Sequence, residues 1–371
     1  MYSQQDLDEA VAAGAIDATA AASLRNFLDA DRRAPAVDEE QFRLINSFND
    51  IFVSIASAIL LFAVGWIGQS IGQALGLTLN AHGETGPSFL APAAVAATAW
   101  GLALFFTARR RMALPSILLL LAFVGGVFAT AVLTIGLVIG AAFFEDNASG
   151  VAMVAAAGAL VAAGAAYIHW KRFLVPVTVA AGAAALVGLV IALIASALGE
   201  DAGRMRELML GVVLLLGIGV FLFAMRWDSS DQARVTRRSD VAFWLHLLAA
   251  PMIVHPVFTL LGLNDGNATI GEGLVVVLLY VVLAVAALAI DRRALLVSAL
   301  AYVLYALTEL FKQIGAVELS VALTALVIGS ALLMLSAYWH QARRLIVTRL
   351  PDALRGKLPL LDRAPTLQPA A

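Results

Sequence analysis

The sequence predicts an all-α protein, a polytopic helical membrane bundle of about ten transmembrane helices with a small cytoplasmic helical hairpin at its N-terminus. Three observations predict it. Of the 371 residues, 61% are hydrophobic and only 13% charged, whereas soluble domains run nearer half apolar and a quarter charged. Apolar runs of about 18 residues or more, the length that crosses a hydrocarbon core, recur along the chain. The polar turns between them alternate between basic and acidic. A mean hydropathy of +0.90 fits the same class.

The N-terminal segment, residues 1–33, reads as an amphipathic hairpin. Leu7 and Val11 stand at i, i+4, Gly14 stops the first helix and Asp17 is placed to cap the second. Ala20, Leu24, Phe27 and Leu28 then follow at i, i+4, i+7, i+8, so Leu24, Phe27 and Leu28 are the candidate docking residues. A hairpin this short cannot bury a core by itself. It is expected to dock on the membrane domain, a symmetry mate in a homo-oligomer, or a protein partner. Residues 34–48, containing "APAVDEE", form the linker. The leading segment lacks the charged start and apolar core of a cleaved signal, so the first span is expected to serve as the targeting signal.

Residues 49–345 carry the bundle. The spans are expected at 50–70, 89–108, 113–141, 149–169, 173–198, 206–226, 239–262, 271–290, 294–314 and 317–339. The third is long enough to tilt or break, and "VGGVF" at 124–128 marks the place for a break. Spans four and five, with "AAAGALVAAGAAY" and "AAGAAALVGLVIALIASA", present small residues that let backbones approach, so they are expected to be central and tightly packed. Residues 346–371 are the expected cytoplasmic tail.

Topology follows from the basic residues. Alternate turns read "ARRRMALP", "HWKRFLVP", "VTRRSDVA", "IDRRALLV" and "QARRLIVT". On the opposite side, Arg204, Arg206 and Lys312 are the only basic residues among the chain's 24. Positive loops stay inside, which places both termini in the cytoplasm. The basic turns recur every ~50 to 65 residues. Internal duplication and the ordinary look of short inside turns both account for that spacing.

The layout resembles a family of uncharacterised bacterial predicted membrane proteins. The leading "AVAAGAIDATAAASL", with its Gly14–Ile16 turn, followed by a train of spans with basic inner turns, carries the resemblance. It implies a short N-terminal domain of unknown function ahead of eight to ten spans, and a bacterial inner membrane location. It implies no activity and supplies no catalytic residues.

Net charge is −2, so no basic field points to nucleic acid. The absence of cysteine excludes disulfides, thiolate metal sites and cysteine nucleophiles. No phosphate-binding glycine loop, zinc-protease helix or serine triad stands out, so no cofactor or resident metal is expected. His82 with Glu84, Glu145 with Asp146, and Glu200 with Asp201 are acidic loop groups that could hold a divalent cation, though such groups are more often solvated. The arginine clusters suit anionic lipid headgroups.

Polar residues inside spans are the remaining candidates, because each is costly there unless paired or hydrated. In span nine Ser298, Tyr302, Tyr305, Glu309 and Lys312 fall within about 80° of one another on a helix. That stripe must face protein or water. Glu309 and Lys312 at i, i+3 are alternatively a plain ion pair at an interface. In span seven, "HLLAAPMIVHPVF" holds His246 and His255, nine residues and so about 180° apart. Pro251 and Pro256 free backbone carbonyls and favour a kink. At 1.5 Å per residue His246 lies roughly 10 Å deep, and His255 and Glu309 at similar depths of roughly 24 and 22 Å. His255 and Glu309 are therefore expected to meet across spans seven and nine. Three function classes follow: a carrier or channel-like protein for a small solute, ion or lipid; a non-catalytic scaffold or sensor; and an intramembrane enzyme acting on lipid-linked substrates.

Overall fold

The structure, a computed structural model, describes residues 11–23, 48–80, 84–145, 147–199, 202–232, 234, 236–261, 270–313 and 315–361. The chain divides into two compact units, Met1–Gln41 and Phe42–Ala371. In the first, Gly14 closes a turn at φ +70°, its N–H donating to the Val11 carbonyl at 3.0 Å. Asp17 opens the next helical stretch, accepting from the Ala20 N–H at 2.5 Å and from the Thr19 hydroxyl. Those bonds, the Thr19 hydroxyl first, hold its carboxyl below the ordinary value of 3.8. Leu24, Phe27 and Leu28 lie outside the described residues.

The second unit is a polytopic bundle of ten long helices: α1 (Phe48–Ala74), α2 (Leu90–Phe106), α3 (Ala113–Ile139), α4 (Ala148–Phe173), α5 (Val177–Leu198), α6 (Ala202–Ser229), α7 (Arg237–Leu260), α8 (Ile270–Ile290), α9 (Ala294–Gln313) and α10 (Ser320–Ala337). Two short helices follow, α11 (Trp339–Val347) and α12 (Asp352–Arg355). Among the described residues nine helices are long and apolar enough to cross a membrane, and α2, at 17 residues, sits at the short end of the spanning range. No strand occurs among them; Thr78 and Ser88 form an isolated bridge between α1 and α2. Large apolar side chains such as Phe62, Trp66, Leu215 and Leu333 point outward, as they must if lipid is the solvent.

The core is a relay of local clusters rather than one centre. Leu61, Ala99 and Leu119 join α1 to α3; Leu120, Ala162 and Val177 join α3 to α5; Ala180, Ala224 and Leu245 join α5 to α7. The α4–α5 pair packs most extensively, because α4 buries Ala156, Ala159, Ala162, Ala165 and Ala166, whose small side chains allow close approach.

Two places that the pattern marks for a break or kink stay helical. Helix α3 continues through Val124–Phe128, and a 3-10 turn at Ala141–Phe144 follows its end. Gly126 serves packing: a Cβ there would lie 2.8 Å from the Pro92 carbonyl of α2. Helix α7 likewise continues through Pro251 and Pro256.

The hairpins α2–α3, α4–α5, α6–α7 and α8–α9 share one turn device. Each has a non-glycine residue in the left-handed region: Arg111, Leu174, Arg234 and Asp291, at φ 53°, 54°, 53° and 57°. Such a residue ends a helix by turning its N–H back onto a freed carbonyl. Leu174 donates to the Trp170 carbonyl, and Arg292, just past Asp291, to that of Ala287. These four turns lie at one end of the up-and-down bundle, called here the basic end.

Candidate functional site

Helices α7 and α9 pack side by side through Val254 and Phe258 on one and Ala299, Val303 and Ala306 on the other. The alanines at i, i+7 bring the backbones close, and Tyr302 falls at the edge of that buried face. Its ring stacks on Phe258 with centroids 4.6 Å apart. Its hydroxyl hydrogen-bonds His255 Nδ1 at 2.5 Å. Elsewhere on α9 Ser298 and Glu309 are half-buried and Tyr305 and Lys312 exposed, and His255 of α7 is exposed. Glu309 accepts from Lys312 Nζ at 2.8 Å.

Of the span-nine stripe, Tyr302 is the residue shown in contact with α7, and Glu309 pairs with Lys312 on its own helix. Among the described residues no hydrogen bond or ion pair joins His255 to Glu309. Counting residues from each helix start puts those two level. The observed bond instead sets His255 level with Tyr302, seven residues or about 10 Å nearer the start of α9, so the helices are offset along their axes.

His246 belongs to a different site, at the basic end. Its Nε2 lies 2.9 Å from Asp228 Oδ2, and both side chains are buried. Asp228 stands in the last turn of α6. Its carboxylate also receives Arg292 from the α8–α9 turn, through Nη2 at 2.5 Å and Nε at 3.2 Å. Arg292 Nη2 donates further to the Ser239 carbonyl at 3.1 Å, and the guanidinium lies over the Phe243 ring.

The neighbouring Asp291 anchors a second knot. It accepts from Arg234 Nη1 at 2.9 Å and from the Trp339 indole N–H at 2.7 Å, with Arg343 Nε at 3.8 Å. Arg343 donates to the carbonyls of Pro359 and Leu360, at 2.6 and 3.1 Å. Gln232 Nε2 reaches the Gly356 carbonyl at 2.5 Å. Burial first, and then Arg292 nearby, lowers the Arg234 pKa to about 10, so it keeps its charge at neutral pH. Two carboxylates and three guanidiniums thereby tie α6, α7, the α8–α9 turn, α11 and the segment at 356–360 together. Most of their donors and acceptors meet within the cluster, with Arg234 Nε, Arg343 Nε and His246 Nδ1 lacking a hydrogen-bond partner, an arrangement that suits holding helices.

A third buried polar group is His169 on α4. Its Nδ1 lies 3.1 Å from the Thr178 hydroxyl on α5, and its ring packs against Phe173, Phe123 and Trp100.

Asp228, Arg292, Arg234, Arg343 and His169 are the residues that reading the sequence missed. The available signal was an acid, Asp228 or Asp291, set at the basic end, which a topology rule counts as noise. Among the described residues no group of three or more His, Cys, Asp or Glu side chains is placed to hold a metal. His82, Asp146, Glu200 and Asp201 lie outside those residues.

Among the described residues are two open, largely apolar grooves. One, of about 530 Å³, runs between α2, α3 and α4 beside Thr130 and Thr134. The other, of about 140 Å³, lies between α8, α9, α10 and α11. Neither is lined by His255, Tyr302, Tyr305, Glu309 or Lys312. In comparisons with known proteins, the chain matches no family model, no curated protein and no solved structure.

Proposed function

We propose that the chain is a multi-pass protein of a bacterial cytoplasmic membrane, with both termini inside, that carries a small polar solute or ion along the border of α7 and α9. The observation that supports this is the exposed His255–Tyr302 bond, with Tyr305, Glu309 and Lys312 falling within about 80° of Tyr302 on the same helix. Acyl chains cannot satisfy these groups, so water, cargo or protein must cover them. The enzyme class gains no such support, because the buried carboxylates at the basic end are occupied by arginines.

The chain has no cysteine, so single cysteines can be introduced without background. In native vesicles Tyr305→Cys and Glu309→Cys should react with a membrane-impermeant thiol reagent, whereas Leu278→Cys and Leu326→Cys, on outward apolar faces, should not. Proteoliposomes tested with protons, K⁺, Na⁺ and Cl⁻ should show flux above protein-free vesicles that His255→Ala reduces. Unreactive border positions together with no flux would overturn the carrier reading.

A scaffold reading has its own support in the separate N-terminal unit, Met1–Gln41. It expects the border to be covered by another protein's helix or a second copy. The same cysteines would then be protected in native membranes and become reactive after detergent separates the complex.

A further inference from the structure

We propose that the segment from Tyr338 to Leu361 is an interfacial anchor lying on the anionic lipid leaflet beside the basic end, its leucines entering the acyl boundary and its cations meeting phosphates. The surface is separate from the α7–α9 border and does not depend on the carrier reading. Helix α10 ends at Ala337 and α11 starts at Trp339, directly at the rim of a span. Helix α11 buries Trp339, Arg343 and Val347, at i, i+4 and i+8. Val347 and, further on, Leu358 join the cluster formed by Ala287 and Leu288 of α8 and Leu295 of α9. Gln232 and Arg343 grip the carbonyls of Gly356, Pro359 and Leu360. The segment is thereby held against the end of the bundle, where the apolar crossings meet the headgroup layer.

What faces outward decides the partner. Leu345, Leu354 and Leu360 are 54%, 52% and 48% exposed. Exposed cations follow the first two at i+4 and i+3, Arg349 after Leu345 and Lys357 after Leu354. That spacing sets an aliphatic side chain and a long cationic one side by side, as in a helix lying in a membrane surface. The leucine reaches into hydrocarbon while the cation extends its stem towards the phosphates. Charge then selects an anionic lipid over a neutral one. Asp352 is the only acid between Tyr338 and Leu361, and it pairs with Arg355 at 3.4 Å. In the α6–α7 and α8–α9 turns the acids Asp228, Asp231 and Asp291 are buried, whereas Arg226, Arg237 and Arg238 are exposed. The ionic knot thus withdraws negative charge from the surface and leaves cations outside. The Gln232 bond brings the α6–α7 turn against the segment, so both contribute to one positive face.

The test uses the full chain, which has no cysteine, in nanodiscs of phosphatidylglycerol and phosphatidylcholine at equal mole fraction. Leu345→Cys and Leu354→Cys each carry an environment-sensitive fluorophore, and one lipid at a time carries a nitroxide near the carbonyl end of its chain. Emission should be that of an apolar setting, and nitroxide phosphatidylglycerol should quench it more than nitroxide phosphatidylcholine. Val285→Cys, on the outward face of α8, supplies the reference ratio for unselective lipid contact. Combining Arg349→Gln with Lys357→Gln, both exposed, should leave the melting temperature in place. It should lower the phosphatidylglycerol preference about five-fold for each charge removed, the worth of one basic residue at an anionic surface. Aqueous, unquenched emission would show that the segment faces water, and apolar but unquenched emission that a protein covers it. Either result overturns the proposal, as does equal quenching by the two lipids.

Discussion

Arg292 closes on the carboxylate of Asp228 through two hydrogen bonds, of 2.5 and 3.2 Å, across 64 positions of sequence. The pair is buried, and its remaining donors reach Ser239. Removing either member alone leaves a charge without its counterion in a dry setting. Asp228→Asn or Arg292→Met should therefore lower unfolding stability by about 3–5 kcal/mol. The double variant should recover part of that loss. Thermal or denaturant unfolding in detergent measures it, and a double variant worse than either single would show the pair is not coupled.

At the α7–α9 border the coupled residues are His255 and Tyr302. A mutant cycle of His255→Ala with Tyr302→Phe should give a coupling of about 0.6–1.5 kcal/mol, the range for one hydrogen bond in a membrane setting. His255→Ala with Glu309→Gln should be additive, because Glu309 is engaged by Lys312. Coupling in the second cycle but not the first would reverse the assignment.

Arg343 fastens the segment that follows α12. Its two donors hold the Pro359 and Leu360 carbonyls, and the adjacent Leu358 is buried against the Trp339 cluster. Arg343→Ala should cost about 1–3 kcal/mol through unsatisfied buried acceptors. It should also make 351–361 the first site of limited proteolysis. Cleavage no faster than in wild type would mean the segment is held by packing alone.

Asp17 gives a pH-dependent prediction. Its folded pKa is depressed by bonds to Thr19 and Ala20, so the stability it contributes is fully present above the ordinary value of 3.8. It is lost as pH falls through the lower folded value. Hydrogen exchange at the Ala20 amide should accelerate over that acid window in the wild type. Asp17→Ala should show fast exchange at every pH, and Asp17→Asn slow exchange without the acid transition.

Adjacent glycines in α3 should respond in opposite ways. Gly125 has open space around a built Cβ, whereas at Gly126 that atom would lie 2.8 Å from the Pro92 carbonyl. Gly125→Ala should be neutral or stabilising by up to about 1 kcal/mol through helix propensity. Gly126→Ala should be destabilising by about 1–3 kcal/mol through overpacking. Melting temperatures of the two variants decide it.

These contrasts indicate which features local pattern could reveal. Apolar run length and the basic turns yield ten helices near the expected limits, because lipid forces each crossing to be apolar and each turn to be polar. The same pattern could not tell a helix-breaking glycine from one that admits a neighbour, since the difference lies in the Pro92 carbonyl on another helix. It set His255 against α9 but matched it to Glu309 rather than Tyr302, because axial offset leaves no trace in residue spacing. The Asp228–Arg292 and Asp291–Arg234 bonds were invisible for a related reason. Basic turns already had a sufficient explanation in topology, and nothing local distinguishes an arginine facing water from one closed over a carboxylate.

The ionic knot also imposes an order on synthesis. When α6 and α7 leave the ribosome, Asp228 has His246 within reach but its guanidinium partner has not been translated. Arg292 lies 64 residues beyond Asp228, so all of α8 must emerge first. The nascent bundle must therefore carry an unneutralised acid near its rim until the next hairpin arrives. Truncation between those two points would leave a chain whose crossings are complete as far as they go and whose fastening is missing, the kind of intermediate that membrane quality control is expected to remove.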